Sequence, residues 1–189
     1  LWTIMFTSGT TGTPKGVMHS HKTPIQIIKD EHETNWIGVP NMKEKRFLSY
    51  LPLNHVGERI GVYTNALTFG GTIYFGESID TFAKNLQDTQ PSLFFSVPRI
   101  WTKFYLGVAE RLPLSRQQLL FNIPFLSHLV KHKIKQGLGL AKAEIVATGA
   151  AITPAYLKKW YKQLGIHLIE AYGMTEDSGF IANSVDTNT

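Results

Sequence analysis

Residues 7–16 read Thr-Ser-Gly-Thr-Thr-Gly-Thr-Pro-Lys-Gly, a run whose residue types suit the holding of phosphate. Gly9, Gly12 and Gly16 permit tight, left-handed turns and let backbone come close to a ligand. Thr7, Ser8, Thr10, Thr11 and Thr13 supply hydroxyls, successive N–H groups can form an anion-binding concavity, and Lys15 adds a positive charge. Spacing excludes two other phosphate loops. A Walker A loop carries Gly-Lys-Ser/Thr where this chain has Pro14-Lys15-Gly16, and the Gly-x-Gly-x-x-Gly dinucleotide turn is missing too. On composition alone, a polar Gly/Thr-rich loop without a ligand is the alternative.

Near the other end, Glu170-Ala171-Tyr172-Gly173-Met174-Thr175-Glu176 follows the apolar run His167–Ile169. Tyr172 offers an aromatic face for a base and Thr175 a hydroxyl for a phosphate. Glu176 offers a hard oxygen ligand for Mg²⁺. A strand end with ordinary polar caps is the alternative. Midway, His55 in Leu51-Pro52-Leu53-Asn54-His55 follows a strand and precedes a helix. That places it at the carboxyl edge of a sheet, where α/β ligand sites gather.

The run TSGTTGTPKGV resembles the signature loop of the adenylate-forming superfamily, which groups acyl-CoA synthetases, firefly-type luciferases and the adenylation domains of peptide synthetases. The resemblance implies a mobile loop that handles the β- and γ-phosphates of ATP, with Thr7, Ser8, Gly9, Thr10, Thr11, Gly12 and Lys15 in contact. Residues 172–176 are similar to the family's Tyr-Gly-x-Thr-Glu motif. That implies Tyr172 and Gly173 at adenine, Thr175 at the α-phosphate, and Glu176, with Thr7, at Mg²⁺. Thr148-Gly149-Ala150-Ala151 resembles the family's Gly/Ala-rich adenine turn, whose small side chains suit a purine slot. The segment around His55 is similar to the Leu-Pro-Leu-x-His stretch beside the family's acyl site, so His55 is expected on the acyl or CoA path, or else as a structural histidine.

Ser96-Val97-Pro98-Arg99-Ile100-Trp101 resembles a segment of long-chain acyl-CoA synthetases and their bubblegum-type relatives. With Glu58-Arg59 it favours a fatty-acid branch; Arg99 and Trp101 are expected to pack or form ion pairs. The implied reaction has two halves. A fatty-acid carboxylate attacks the α-phosphorus of ATP, giving acyl-adenylate and pyrophosphate; CoA thiol then displaces AMP. Lys15, Thr175 and Glu176 are the implied catalytic residues, acting by electrostatic stabilisation. Activation of an aryl or amino acid, or a non-catalytic nucleotide-binding module, remain the alternatives. In the family a ribose-gripping Asp, a hinge and a lid lysine follow the Tyr-Gly-x-Thr-Glu motif. Residues 1–189 are therefore expected to be an AMP-binding core fragment without the upstream part of the large domain or the C-terminal lid, and incompetent for full turnover alone.

The elements that must position these residues can be read from periodicity. Strands are expected at Thr3–Phe6, Arg46–Leu51, Thr72–Phe75, Leu93–Ser96, Glu144–Ala147 and His167–Ala171. Helices are expected at Thr23–Thr34, Glu58–Phe69, Ile79–Asp88, Pro98–Arg111, Gln117–Gln136 and Pro154–Leu164. Their alternation predicts an α/β fold with mostly parallel sheets flanked by helices, which the resemblance places in the large N-terminal domain of an acyl-CoA synthetase-like fold.

Composition bounds the rest. The chain is 43% hydrophobic, carries a net charge of +5 and has no cysteine, which excludes disulfides and thiolate metal sites. The charge permits attraction to polyanions, yet no nucleic-acid-binding signature accompanies it. The basic run Lys131-His132-Lys133-Ile134-Lys135 is read as a solvated helix face, with a surface meeting membrane or the CoA phosphates as the alternative. No run reaches the length of a membrane span. The expected setting is cytoplasmic, with peripheral contact at a membrane left open, and the expected partners are fatty acid, ATP and CoA.

Overall fold

Two antiparallel strands, β1 (Thr3–Thr7) and β2 (Lys15–His19), form a hairpin that sets Thr7 directly opposite Lys15. The computed structural model describes residues 1–7, 12–179 and 182–184. Helix α1 (Lys22–Thr34) follows and stops at Asn35, whose left-handed backbone lets its N–H return to the Glu31 carbonyl. Buried Glu31 then accepts from the backbone N–H groups of Ile37, Gly38 and Val39 at 2.8–2.9 Å, fixing the turn into the next strand.

Strand β3 (Arg46–Ser49) leads to a helix in three parts. It begins as α2 (Val56–Glu58), widens to π geometry over Arg59–Thr64, and returns to α form as α3 (Asn65–Phe69). Thr64 and Asn65 stabilise the wide turns by donating to the carbonyls of Arg59, Ile60 and Gly61. Beyond it lie β4 (Thr72–Phe75), α4 (Phe82–Thr89), β5 (Leu93–Ser96), α5 (Pro98–Arg111), α6 (Leu114–Phe121) and α7 (Leu126–Gly137). The chain continues through β6 (Ile145–Gly149), α8 (Ala155–Gln163), β7 (Leu168–Tyr172) and β8 (Ala182–Ser184).

Strand order is β4-β3-β5-β6-β7-β8, parallel except for the antiparallel β8. A parallel sheet is covered on both faces, so its strands carry apolar side chains in both directions. Phe47, Leu93 and Ile145 pack with Val39, Met42, Val62 and Ala66 on one face. Their neighbours Leu48, Phe94 and Val146 pack on the other with Leu86, Trp101, Leu157, Trp160 and Tyr161. Polar ends of the large aromatics are satisfied there: Tyr161 donates to the Trp101 carbonyl and Trp160 to Gln117 Oε1.

The chain runs from β3 to β4 on one side, then recrosses to β5 and onward. The switch point lies between β3 and β5, which pair in parallel at Phe47↔Leu93. Past that pair the strands are joined by Tyr50, whose hydroxyl donates to the Phe95 carbonyl at 2.8 Å. Burial pushes the Tyr50 phenol up to about 12, so it remains a neutral donor. Crevices at such switch points are where ligands enter α/β sheets.

The expected helix Gln117–Gln136 is two helices. Pro124 cannot donate in a helix interior and Phe125 takes φ 69°, so the chain breaks between α6 and α7. The helix expected from Ile79 begins at Phe82, because Ser78 and Thr81 exchange side-chain hydrogen bonds in a turn. The strand expected over Arg46–Leu51 ends at Ser49. Strand β2 was not foreseen: its glycine and alternating polar residues carry little apolar signal.

Candidate functional site

The carboxyl ends of β3, β5, β6 and β7 surround one cavity of about 440 Å³. Its walls are almost wholly apolar: Leu93, Phe95, Ile100, Ile145 and Ala147 rise from the sheet, and Ile37 closes one side. Along the helical wall Gly57 and Gly61 present no side chain, and a Cβ at Gly61 would meet nothing within 4 Å. Pockets of this size and polarity hold small organic ligands.

Polar groups gather on the same boundary. His55 lines the cavity as the N-cap of α2, its Nδ1 accepting from Gly57 N–H at 3.0 Å. That bond leaves Nε2 as the protonated nitrogen of the neutral ring. Ala150, Gly173, Thr175 and Ser178 line it from the side of β6 and β7. Residues from three sequence segments expected to act together therefore share one cavity. Tyr172, Ala151 and Glu176 are exposed close to it in sequence, and Gly149 is buried behind it. Trp101 is fully buried and Arg99 exposed.

The turn after β6 is held without tolerance. A Cβ on Gly149 would lie 2.8 Å from the Ala171 carbonyl oxygen, so this position requires glycine to let β6 and β7 close. Ala150 adopts φ 66°, a left-handed conformation costly to alanine. What fixes it is a network the sequence reading did not single out. Thr148 and Thr153 hydroxyls meet at 2.9 Å, Thr153 N–H donates to Glu170 Oε1, and Lys158 holds Glu170 Oε2 at 2.8 Å. A charged residue directly after the apolar run His167–Ile169 was the available signal.

Lys158 beside Glu170 holds its carboxyl below the usual carboxylate range, with Thr153 N–H adding to the effect. Because the folded state favours the ionised form, the contribution is present above the ordinary carboxylate pKa and lost as pH falls through the lowered one. Glu170→Gln is expected to lower stability by about 1 kcal/mol at neutral pH. In acid the two proteins should converge. Thermal unfolding across pH reads this, and equal midpoints at neutral pH count against it.

On the hairpin, Thr7 is half-buried and Gly12 and Lys15 are exposed; Ser8, Gly9, Thr10 and Thr11 lie outside the described residues. The hairpin is joined to the Thr175–Asp177 turn by His19, buried at the end of β2, whose Nδ1 lies 3.3 Å from Ser178 Oγ. The contact spans 159 residues, beyond the reach of local pattern reading.

Among the described residues no group of three or more His, Asp or Glu converges as a metal cage. Asp177 accepts from the N–H groups of Met174 and Gly179, while neighbouring Glu176 is exposed. An exposed carboxylate is the kind of hard oxygen donor that Mg²⁺ takes, since the ion uses one or two protein oxygens and completes its shell with phosphates and water.

The family model described as AMP-binding enzyme matches residues 1–189. Long chain acyl-CoA synthetase 5 of Arabidopsis thaliana is 29% identical over 198 residues, covering 92% of this chain and 29% of that protein. A long-chain-fatty-acid–CoA ligase of Gallus gallus is 28% identical, covering 94% of this chain and 27% of its own length. This chain thus spans under a third of the relatives it matches.

Among solved structures, the A domain of carboxylic acid reductase from Segniliparus rugosus, in complex with AMP and a co-purified carboxylic acid, is similar with a TM-score of 0.64 at 26% identity. The match covers 91% of this chain and 27% of that one. The o-succinylbenzoate CoA synthetase of Bacillus subtilis, in complex with its acyl-adenylate intermediate, shares the fold at a TM-score of 0.66 and 17% identity, covering 96% and 31%.

Proposed function

Because the chain belongs to the AMP-binding enzyme family, we propose that the protein carrying it activates a fatty acid with ATP and transfers the acyl group to CoA. The observation that carries this reading is the apolar cavity, bounded on one side by Ala150, Gly173 and Thr175 and on the other by the helical stretch after His55. An acyl chain fills such a space, while its carboxylate stays at the polar boundary near Thr175 and His55. The long-chain acyl-CoA synthetase relatives support the same branch.

In this reading Gly149, Ala150 and Ala151 give the purine a slot free of bulky side chains, and Tyr172 and Gly173 offer it a flat neighbour. The 7–12 loop and Lys15 neutralise the β- and γ-phosphates, and Thr175 donates to the α-phosphate as negative charge grows there. Glu176 and Thr7 would hold Mg²⁺, which supplies further charge neutralisation on the phosphates. His55 Nε2–H donates at the cavity wall. The carboxylate oxygen bonds to the α-phosphorus as the bond to pyrophosphate breaks; the CoA sulfur then takes the acyl carbon and AMP leaves. No protein nucleophile is needed.

The test is carboxylate-dependent pyrophosphate release by the whole protein, with and without CoA, across acids from acetate to long-chain fatty acids. Release that rises with chain length and yields a CoA thioester is the expected result. Release with aryl or amino acids alone moves the protein to another branch. Intact ATP binding with no release for any carboxylate replaces the enzyme reading with a nucleotide-binding module. Among the described residues no helix is long and apolar enough to cross a membrane.

A further inference from the structure

His19 ends β2 and is 3% exposed; Ser178, just past the Thr175–Asp177 turn, is 1% exposed. His19 Nδ1 lies within hydrogen-bond reach of Ser178 Oγ at 3.3 Å, while its Nε2 is buried with no partner among the described residues. A buried ring nitrogen left unpaired is unfavourable. An apolar side chain would fill the same space without that penalty. Packing therefore does not account for a histidine here; its contact with Ser178 does.

That contact joins three walls of the candidate site. On the first, His19 is locked into the hairpin: it pairs with Thr3, and Trp2 N–H donates to its carbonyl at 2.7 Å. Lys15 opens the same strand, about 13 Å away along it. On the second, Ser178 lines the cavity at φ 69°, and its N–H donates to the Thr175 carbonyl at 3.1 Å. Gly179 closes the third. A Cβ there would lie 3.3 Å from Val56 Cγ1, in the residue directly after His55, and its φ of 84° also suits glycine.

A triphosphate spanning these segments needs a fixed distance between the groups at its α-phosphate and those at its far end. Neither segment sets that distance alone. We propose that His19 and Ser178 are positioning residues, holding the hairpin that carries Lys15 in register with the turn that carries Thr175 and Glu176. They act through those side chains, keeping the donors aimed where charge grows in the transition state. The inference rests on the ATP-dependent reading of the site, though not on the choice of acid.

The measurement is single-turnover pyrophosphate release by the whole protein with the carboxylate it uses best, alongside ATP binding and thermal unfolding. His19→Leu with Ser178→Ala removes both polar partners and should leave the melting midpoint nearly unchanged. Release should still slow on the order of 100-fold, as a misplacement of about 1 Å causes. ATP affinity should fall less than about fivefold, because each segment still meets its own phosphates. Compared with His19→Leu alone, His19→Asn sets an amide where Nδ1 stands and should restore most of the rate. His19→Gln reaches the position of Nε2 and should not. Unchanged release in the double variant overturns the proposal. So does a slowing matched by equal losses in ATP affinity and melting, or equal rescue by asparagine and glutamine. An unmodified protein that releases no pyrophosphate with any carboxylate takes the ATP-dependent reading down as well, whereas an active one with indifferent variants removes the positioning role alone.

Discussion

Glu31→Ala is expected to cost about 3–5 kcal/mol of folding stability, as much as truncating a large core side chain. The carboxylate of Glu31 is 1% exposed and accepts from three consecutive N–H groups, those of Ile37, Gly38 and Val39. Alanine removes every acceptor at once; the Val39 N–H is buried and those of Ile37 and Gly38 are partly so, and a buried N–H left without a partner costs about 1–3 kcal/mol. The surrounding turn has no easy alternative: Gly38 sits at φ 102° and Val39 is fully buried. Glu31→Gln keeps one oxygen but turns an NH₂ toward a donor, so about half the loss is expected to remain. Thermal unfolding is the readout, with a fall in midpoint of about 10 °C for the alanine variant. A shift within about 2 °C would show that the three N–H groups find other partners. Because Ile37 lines the cavity, the damaged turn should also loosen the apolar wall.

Much of the sheet was legible because its strands are apolar in both directions. Phe47-Leu48, Leu93-Phe94 and Ile145-Val146 are pairs of adjacent apolar residues, as a two-sided parallel sheet demands. Pro98 marks the start of α5 because proline fits a first helical turn, and Gln90-Pro91 marks the end of α4. What escaped depends on partners distant in sequence or on side-chain geometry. The π-helical stretch arises from Thr64 and Asn65 donating to carbonyls in the preceding turn, which no hydrophobic period announces. Glu58 next to Arg59 carries no local sign in the sequence of where either side chain goes. In the structure Glu58 is fully buried and accepts from Leu51 N–H, while Arg59 donates to the Leu53 carbonyl.

The candidate site divides in the same way. Its motifs were visible as residue types in a familiar order, and the resemblance attached roles to them. Their convergence was not visible: His55, Ala150, Gly173 and Thr175 meet only because the sheet switches direction between β3 and β5. The supports behind them, Glu170 under the Ala150 turn and His19 against Ser178, are ordinary polar residues until the fold brings their partners close.

Gly61→Phe is expected to abolish use of long acyl chains while sparing ATP binding. Gly61 faces the cavity from the π-helical stretch, and a side chain there begins in open space, with nothing within 4 Å of its Cβ. A phenyl ring at that point occupies volume that the proposed substrate needs. Excluding even one methylene from an apolar pocket is worth about 10–200-fold in kcat/KM, so excluding several should cost at least about 100-fold. The change should not act through unfolding, since glycine is the poorest helix former apart from proline and its replacement favours the helix by up to about 1 kcal/mol. Gly61→Ala provides the graded control: it adds one methyl group, should raise the melting midpoint slightly, and should penalise the longest acids first. The purine-side turns lie across the cavity, so the affinity for ATP should hold within about twofold, well under a single hydrogen bond's contribution. Measured in the whole protein with a series of fatty acids, kcat/KM should fall steeply with chain length in the phenylalanine variant and stay level for the shortest acids. An unchanged chain-length profile would remove the acyl group from this cavity, and with it the observation on which the fatty-acid reading stands.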